Sequence, residues 1–241
     1  IALAMVFGVS NFGIAYAVPV FGQLVMNLTP TAAGLLLLPA GIVASVSTVI
    51  VGRMVDRVSP TWLIYAGIAC GVAGTFALSW GDTNTPVLSL LAFAVVCRVG
   101  QSFMGPSITA SAIRALPPGD INKASGTINF FRQMGGAFGI NCLVASVEMR
   151  ASFHHHGLYA TQNADNTSTD AFLNATRELL APSGLPDAMA DTVALRFLEE
   201  AVVAQSSALA WRDGFLLICI VFVLAVIPTW LLGRAQRKRA Y

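Results

Sequence analysis

Charge is what this sequence has least of. Its 241 residues include only 14 Lys or Arg and 12 Asp or Glu, 11% in all, where a soluble domain carries about 25%. A soluble domain of this length has no room to hide 56% apolar residues, and a disordered chain needs the opposite balance. The net charge is only +2, and the cations are scattered or terminal, which argues against a nucleic-acid-binding face. Cysteine is scarce too. Cys70, Cys97, Cys142 and Cys219 lie in four separate apolar runs with no metal-ligand or redox spacing, and they read as small packing residues in helices. Period-two alternation is missing, which argues against a β-barrel. No nucleophile–base pair, phosphate loop or metal constellation is present, which argues against an enzyme. The chain opens at Ile1 inside an apolar run, with no charged region or cleavage site, so the opening is no signal peptide. It reads as a piece of a longer chain.

What is there is length in apolar runs. A bilayer core of ~30 Å needs ~20 apolar helical residues. Six segments qualify: Ile1–Met26, Thr31–Val51, Trp62–Trp80, Val87–Ile113, Ser125–Val147 and Phe215–Leu232. The expected fold is therefore an all-α integral membrane protein, a six-helix transmembrane bundle with a long extracytoplasmic loop before the last helix. Residues 1–147 hold the first five spans, 148–213 the loop, 214–233 the last span and 234–241 a basic tail. The turns are marked by Asn27-Leu28-Thr29-Pro30, Gly81-Asp82-Thr83-Asn84-Thr85-Pro86 and Pro117-Pro118-Gly119-Asp120. Pro19, Pro39, Pro106 and Pro228 lie in or near spans and are expected to kink them, with Pro106 as the hinge.

Cations orient the bundle. Arg53, Arg57, Arg114, Lys123, Arg234, Arg237, Lys238 and Arg239 fall on one side if the spans alternate. That side, with the basic tail, is expected to be cytoplasmic. The polar insertion from Glu148 to Asp213 is long enough to need structure of its own. Asp170 is expected to cap a short helix ending at Pro182-Ser183-Gly184, and Pro186-Asp187 to open another running to about Ser207. In the latter, Met189, Val193, Phe197 and Ala201 form a stripe with Ala194, Leu198 and Val202 beside it. His154-His155-His156 points its rings about 100° apart on a helix, so the three cannot share one metal ion. No metal site is expected. Asn166-Thr167-Ser168 and Asn174-Ala175-Thr176 match a glycosylation pattern of low specificity.

The most specific stretch is Gly52-Arg53-Met54-Val55-Asp56-Arg57 in the second loop. Gly52 would admit a close backbone. Asp56, the loop's lone acid, would face a helix N-terminus or pair with Arg53 and Arg57. Gly52-x-x-x-Asp56-Arg57 between two spans resembles the loop signature of the major facilitator superfamily. Leu38-Pro39-Ala40-Gly41 leading into it is similar to the C-terminal half of the fourteen-spanner drug:proton antiporters of EmrB/QacA type. So are Phe130-Phe131-Arg132-Gln133-Met134-Gly135-Gly136-Ala137-Phe138-Gly139 and the stretch from Gln205 to Phe215.

The resemblance implies the second six-helix bundle of an alternating-access transporter whose first half lies outside this chain, with the substrate site between the halves. It implies that the loop of Gly52, Arg53, Asp56 and Arg57 latches one conformation. The first and fourth spans would line the cavity, and the second and fifth would flank it. Arg98 lies about 16 Å into its span, with Gln101 one turn on, and charge at that depth is costly enough to mark function. Arg98-x-x-Gln101 resembles a superfamily pattern tied to proton coupling. Asn11, Phe12, Tyr16 and Gln23 are expected in a roomy pocket. Asn129, Arg132 and Gln133 are expected in a polar network within the fifth span. The pairs Gly67/Gly71 and Gly135/Gly139 are expected at close helix contacts.

The function so implied is export of amphipathic drugs or toxic small molecules by proton antiport. It uses a proton gradient and no cofactor, and its carboxylate lies in the other half. The bilayer, that half and, in a Gram-negative host, a periplasmic adaptor would be the partners. The alternatives are a transporter for a dedicated metabolite and a non-transporting six-helix anchor or interaction module.

Overall fold

The computed structural model describes residues 1–114, 121–162, 166–183 and 186–239. The breaker Pro117-Pro118-Gly119-Asp120, Gly184 of the expected stop and residues 240–241 of the tail lie outside them. Among the described residues all regular structure is helical: α1 Ala2–Leu24, α2 Pro30–Leu35, α3 Leu37–Met54, α4 Pro60–Leu78, α5 Val87–Ile113, α6 Ile121–Ala160, α7 Thr167–Leu180, α8 Asp187–Leu224 and α9 Val226–Arg239, with a 3₁₀ turn at Ala181–Ser183.

Proline sets two of the boundaries. A proline removes the hydrogen bond to the carbonyl four residues earlier and crowds it. Pro39 acts on Leu35, where α2 stops, and Pro228 acts on Leu224, where α8 stops. Pro19 and Pro106 instead lie inside unbroken helices. In the turn before α2, Asn27 takes a positive φ of 53°, which asparagine tolerates. Thr29 then caps the helix by accepting a hydrogen bond from the Ala32 N–H at 3.3 Å. In the turn before α5, the Asp82 carboxylate accepts from the Asn84 N–H and the Thr85 hydroxyl, each at 2.9 Å.

Among the described residues, five helical stretches are long and apolar enough to cross a membrane: Ala2–Leu24, Pro30–Met54, Pro60–Leu78, Val87–Ile113 and Met189–Arg234. The expected sixth, Ser125–Val147, is not among them. It lies inside α6, where Asn129, Arg132, Gln133 and Asn141 dilute the apolar run. The outer insertion also differs from expectation. Residues 148–160 prolong α6, and 187–213 are the first part of α8, which runs past Ser207 without a break. Asn166, not Asp170, caps α7, accepting from the Ser168 and Thr169 N–H groups. Asp170 sits in the first turn. The apolar stripe of α8 turns only partly inward. Ala194 and Val202 are buried, whereas Met189, Phe197 and Ala201 are exposed.

Small residues decide which helices pack closely. A Cβ on Gly67 would lie 2.6 Å from the Gly100 carbonyl oxygen, and one on Gly100 would lie 2.7 Å from the Gly67 carbonyl oxygen. The two glycines thus let α4 and α5 cross backbone to backbone. On the opposite seam, a Cβ on Gly8 would strike the Arg132 carbonyl, and one on Gly135 the Met5 carbonyl. Aromatic rings fill the centre, where Phe21 and Phe215 meet edge to face at 5.5 Å. The pairings show the chain direction. Met5 faces Gly135 and Val9 faces Gly139, so α1 and α6 run parallel, whereas Gly67–Gly100 and Gly74–Cys97 make α4 and α5 antiparallel. Arg53, Arg57, Arg114 and Arg234 fall at one end of this alternating array. The α6 extension, α7 and the start of α8 fall at the other.

Candidate functional site

A cavity of about 640 Å³ runs along α1, α3, α5 and the early part of α6. Its floor is Phe7 and Asn11 of α1, Ala44 and Thr48 of α3, and Arg98, Gln101 and Ser102 of α5. It extends past Gly105 and Pro106 to Val55, Asp56 and Ile113 at the α3–α4 end, with Arg132 on its α6 side.

The polar cluster of the cavity centres on the half-buried Arg98. Its Nη1 donates to Gln101 Oε1 at 3.2 Å and to Asn11 Oδ1 at 3.4 Å. Gln101 is buried, and its Nε2 donates to the Ser10 carbonyl at 3.2 Å, so the cluster ties α5 to α1. One turn on, the Ser102 hydroxyl lies 3.0 Å from the Ala44 carbonyl and 2.9 Å from the Arg98 carbonyl. Pro106 follows four residues later and deprives the Ser102 carbonyl of its helical donor. This turn of α5 therefore both carries the guanidinium and grips α3.

The second loop lies at the rim. Asp56 is 84% exposed, and its ion-pair partner is Arg114, 3.8 Å away, rather than Arg53 or Arg57, which are exposed. Arg114 also donates to the Val55 carbonyl at 2.8 Å. A pair that open contributes ~0–1 kcal/mol. Gly52 lines the cavity, and a Cβ there would meet nothing within 4 Å. Among the described residues no backbone makes the close approach expected at Gly52.

The aromatic stripe of α1 faces elsewhere. The Phe12 ring lies against Gly136 of α6, and Tyr16 packs on Trp211 of α8 with centroids 6.5 Å apart. Gln23 bonds back to the Pro19 carbonyl. Only Asn11 of those four lines the cavity. The glycine groove of α6 draws the bulky face of α1 into the helix seam and leaves Phe7 and Asn11 towards the cavity. Arg132 donates to Asn129, while Gln133 is exposed and makes no hydrogen bond with the described residues. Gly71 takes the edge of Phe222, and Gly139 takes Val9.

Sequence reasoning missed three features. Ser102 and Arg114 reach main-chain oxygens of α3, which leave no mark in the α3 sequence. Gly8, which lies against the Arg132 carbonyl and the Gly136 N–H of α6, was legible as a small residue in an apolar helix. At the outer end, Asp213 of α8 accepts from Arg150 Nε at 2.5 Å and meets His154 Nε2 at 2.8 Å on α6. His155 stacks on Tyr159, so the histidines diverge. Among the described residues no group of three His, Cys, Asp or Glu could hold a metal ion.

The Major Facilitator Superfamily sequence model matches residues 1–140. The chain is 23% identical over 230 residues to the uncharacterized MFS-type transporter YhcA of Bacillus subtilis, covering 93% of this chain and 42% of that protein. It is 27% identical over 154 residues to the Multidrug resistance protein B homolog of Mycobacterium tuberculosis, covering 62% of this chain and 28% of that one. Its fold matches a bacterial homolog of the human lysosomal transporter Spinster with a TM-score of 0.65 at 13% identity, over 96% of this chain and 47% of the other. The chain thus spans less than half the length of each of these proteins.

Proposed function

The chain belongs to the major facilitator superfamily, a family of multi-pass membrane transporters and not of enzymes, and from that premise we propose that it is the C-terminal half of a secondary transporter. In this reading α6 serves as the remaining span, giving six, and a first half outside this chain completes the cavity. The whole is a drug:proton antiporter of the fourteen-spanner EmrB/QacA type in the plasma membrane, with the α3–α4 loop and the C-terminus in the cytoplasm. It exports amphipathic small molecules by alternating access. The cavity supports this reading: a trough that mixes apolar walls with polar side chains, among them the Arg98 cluster, is what an amphipathic cargo needs. The resistance protein among the similar chains supports the choice of cargo.

The proton gradient is the energy source. No carboxylate lies in the interior of α1 to α5, and Asp213 of α8 is engaged by Arg150 and His154 at the outer end, near Glu148 of α6, so this reading places the coupling acid in the first half. The Asp56–Arg114 pair, weak and at the rim, is suited to forming and breaking as the halves rock. In a Gram-negative host the α6 extension, α7 and the start of α8 would meet a periplasmic adaptor.

The test is dye efflux by the complete gene product in proteoliposomes under an imposed pH gradient. Gradient-dependent efflux is expected. Asp56→Asn is expected to cut it severely at unchanged abundance. Efflux that ignores the gradient in the wild-type protein overturns the antiport reading.

A further inference from the structure

Arg98 is only half used. A guanidinium has five N–H donors in a fixed planar fork. Both bonds that Arg98 makes leave from Nη1, and both go to neutral amides, Asn11 and Gln101. Among the described residues no acceptor reaches Nη2 or Nε. The side chain is partly exposed, into the cavity. The unused Nη2–Nε edge is the one that receives a carboxylate or phosphate with two parallel bonds.

Among the described residues, no carboxylate contacts Arg98 to neutralise it. The cavity lining carries two guanidinium groups, Arg98 and Arg132, and one carboxylate, Asp56. Ser102, one turn from Arg98, touches Ala44. Asp56 is twelve residues beyond Ala44, in the loop just after α3 and roughly 18 Å on at 1.5 Å per residue, and it is already paired with Arg114. A cation at mid-depth costs at least ~2.5 kcal/mol on insertion scales, and two amides offset only part of that. Asn11 and Gln101 fix the plane of the fork through Nη1, so the free edge is pre-oriented rather than mobile.

We propose that the Nη2–Nε edge of Arg98 is a binding site for an anionic group of carboxylate type. The group comes either from the exported molecule or from an acidic side chain of the first half. The inference rests on the transporter reading and narrows its cargo. If the exported molecule supplies the group, the preferred cargo is an amphipathic anion.

Rhodamine B and its ethyl ester differ only at the carboxyl group and serve as probes. Their binding is measured by fluorescence polarisation to the complete gene product in nanodiscs, for the wild type, Arg98→Gln and Arg98→Lys, each with a melting curve. The acid should bind the wild type about tenfold more tightly than the ester, the worth of one charge-assisted forked pair. Arg98→Gln should bring that ratio near one. Arg98→Lys, which keeps the charge and loses the fork, should fall between. This outcome assigns the anion to the cargo.

The other source has a different signature. Acid and ester then bind the wild type alike, Arg98→Gln weakens both and lowers melting, and changing one Asp or Glu of the first half to its amide restores them. The inference is overturned if the acid preference survives Arg98→Gln, if Arg98→Gln changes neither binding nor melting, or if its losses are rescued by no such change. Gradient-driven efflux of the ester by the wild type separates the two claims. Efflux with an indifferent Arg98→Gln overturns the inference alone. A wild type that binds and exports neither dye overturns the transporter reading with it.

Discussion

α4 and α3 both pack on α5, and both are predominantly apolar, yet they are used in opposite ways. α4 buries Leu63, Ile64, Ile68 and Leu78, and each of its glycines, Gly67, Gly71 and Gly74, lies against another helix. α3 buries only Ala40 and Val51. Leu38, Ile42, Val46, Val49 and Ile50 are all more than half exposed. The glycines of α2 and α3, Gly34, Gly41 and Gly52, meet nothing within 4 Å. Apolarity alone therefore does not commit a membrane helix to a packed core, because lipid tails are as apolar as leucine. Small residues opposite small residues do. α3 lacks that match; besides a small apolar contact at Val51, it is tied by Ser102 of α5 to its Ala44 carbonyl and by Arg114, just past α5, to the Val55 carbonyl just past its own end.

The largest break in this comparison is a methyl group at Gly67. Gly67→Ala places a Cβ 2.6 Å from the Gly100 carbonyl oxygen and 2.6 Å from Met104 Cγ. The side chain of Met104 can shift, but the Gly100 backbone cannot without moving α5. The expected cost is at the top of the ~1–3 kcal/mol range for overpacking, or above it. Detergent melting of the expressed chain by fluorescence-detected gel filtration should show an early, broadened loss. A melting temperature equal to wild type would mean that α4 and α5 are not in backbone contact.

A matched pair of truncations comes next. Ile68 is 4% exposed on α4 and Ile42 is 65% exposed on α3. Ile68→Ala leaves a cavity among close neighbours and should cost ~2 kcal/mol or more. Ile42→Ala should stay within ~0.5 kcal/mol, the usual range for an exposed site. Equal losses in the same melting assay would mean that α3 has a packed partner within this chain.

How far the sequence disclosed this arrangement depends on the kind of signal. Length and apolarity located α5 at Val87–Ile113, the residues the structure gives. They failed at α6 and α8, because a helix does not end where its apolar run ends. No proline or glycine breaks the chain at 147 or at 207, so the polar continuations stay helical. That Arg98 and Gln101 share a helix face was legible from their spacing; Asn11 was singled out by residue type, and that it meets Arg98 was not legible. The orientation of Phe12 and Tyr16 was not. Helical spacing shows that they share a stripe, but which neighbour the stripe meets depends on the groove of α6, which lies more than a hundred residues away in sequence.

The tie between α5 and α3 is weaker than either packing term. Ser102→Ala removes the hydroxyl that reaches the Ala44 carbonyl at 3.0 Å. The Ala44 carbonyl also accepts from Thr48 at 2.8 Å, so it is not orphaned. The loss should be about 1 kcal/mol, the net worth of one such hydrogen bond. Amide exchange should rise along α3 and not along α4. A rise shared by both helices would show that α3 is as firmly packed as its neighbour.

The smallest effect on the fold is expected at Gly52, and it sharpens the comparison most. Gly67→Ala and Gly52→Ala add the same methyl group to two helices on either side of α5. At Gly52 the methyl meets nothing within 4 Å, and alanine is the better helix former by roughly 0.5–1 kcal/mol. Melting should be unchanged or slightly higher. Gly52 nevertheless borders the cavity and precedes Asp56 by one turn. If the α3–α4 loop works as a latch, a neighbour closes on Gly52 only when the halves rock to the other conformation. Gly52→Ala would then slow efflux in proteoliposomes while leaving the melting curve intact. Efflux and melting both at wild-type level would restrict the latch to Asp56 and Arg114. Melting that falls as it does for Gly67→Ala would mean that α3 is packed at Gly52, and the contrast between the two helices would not hold.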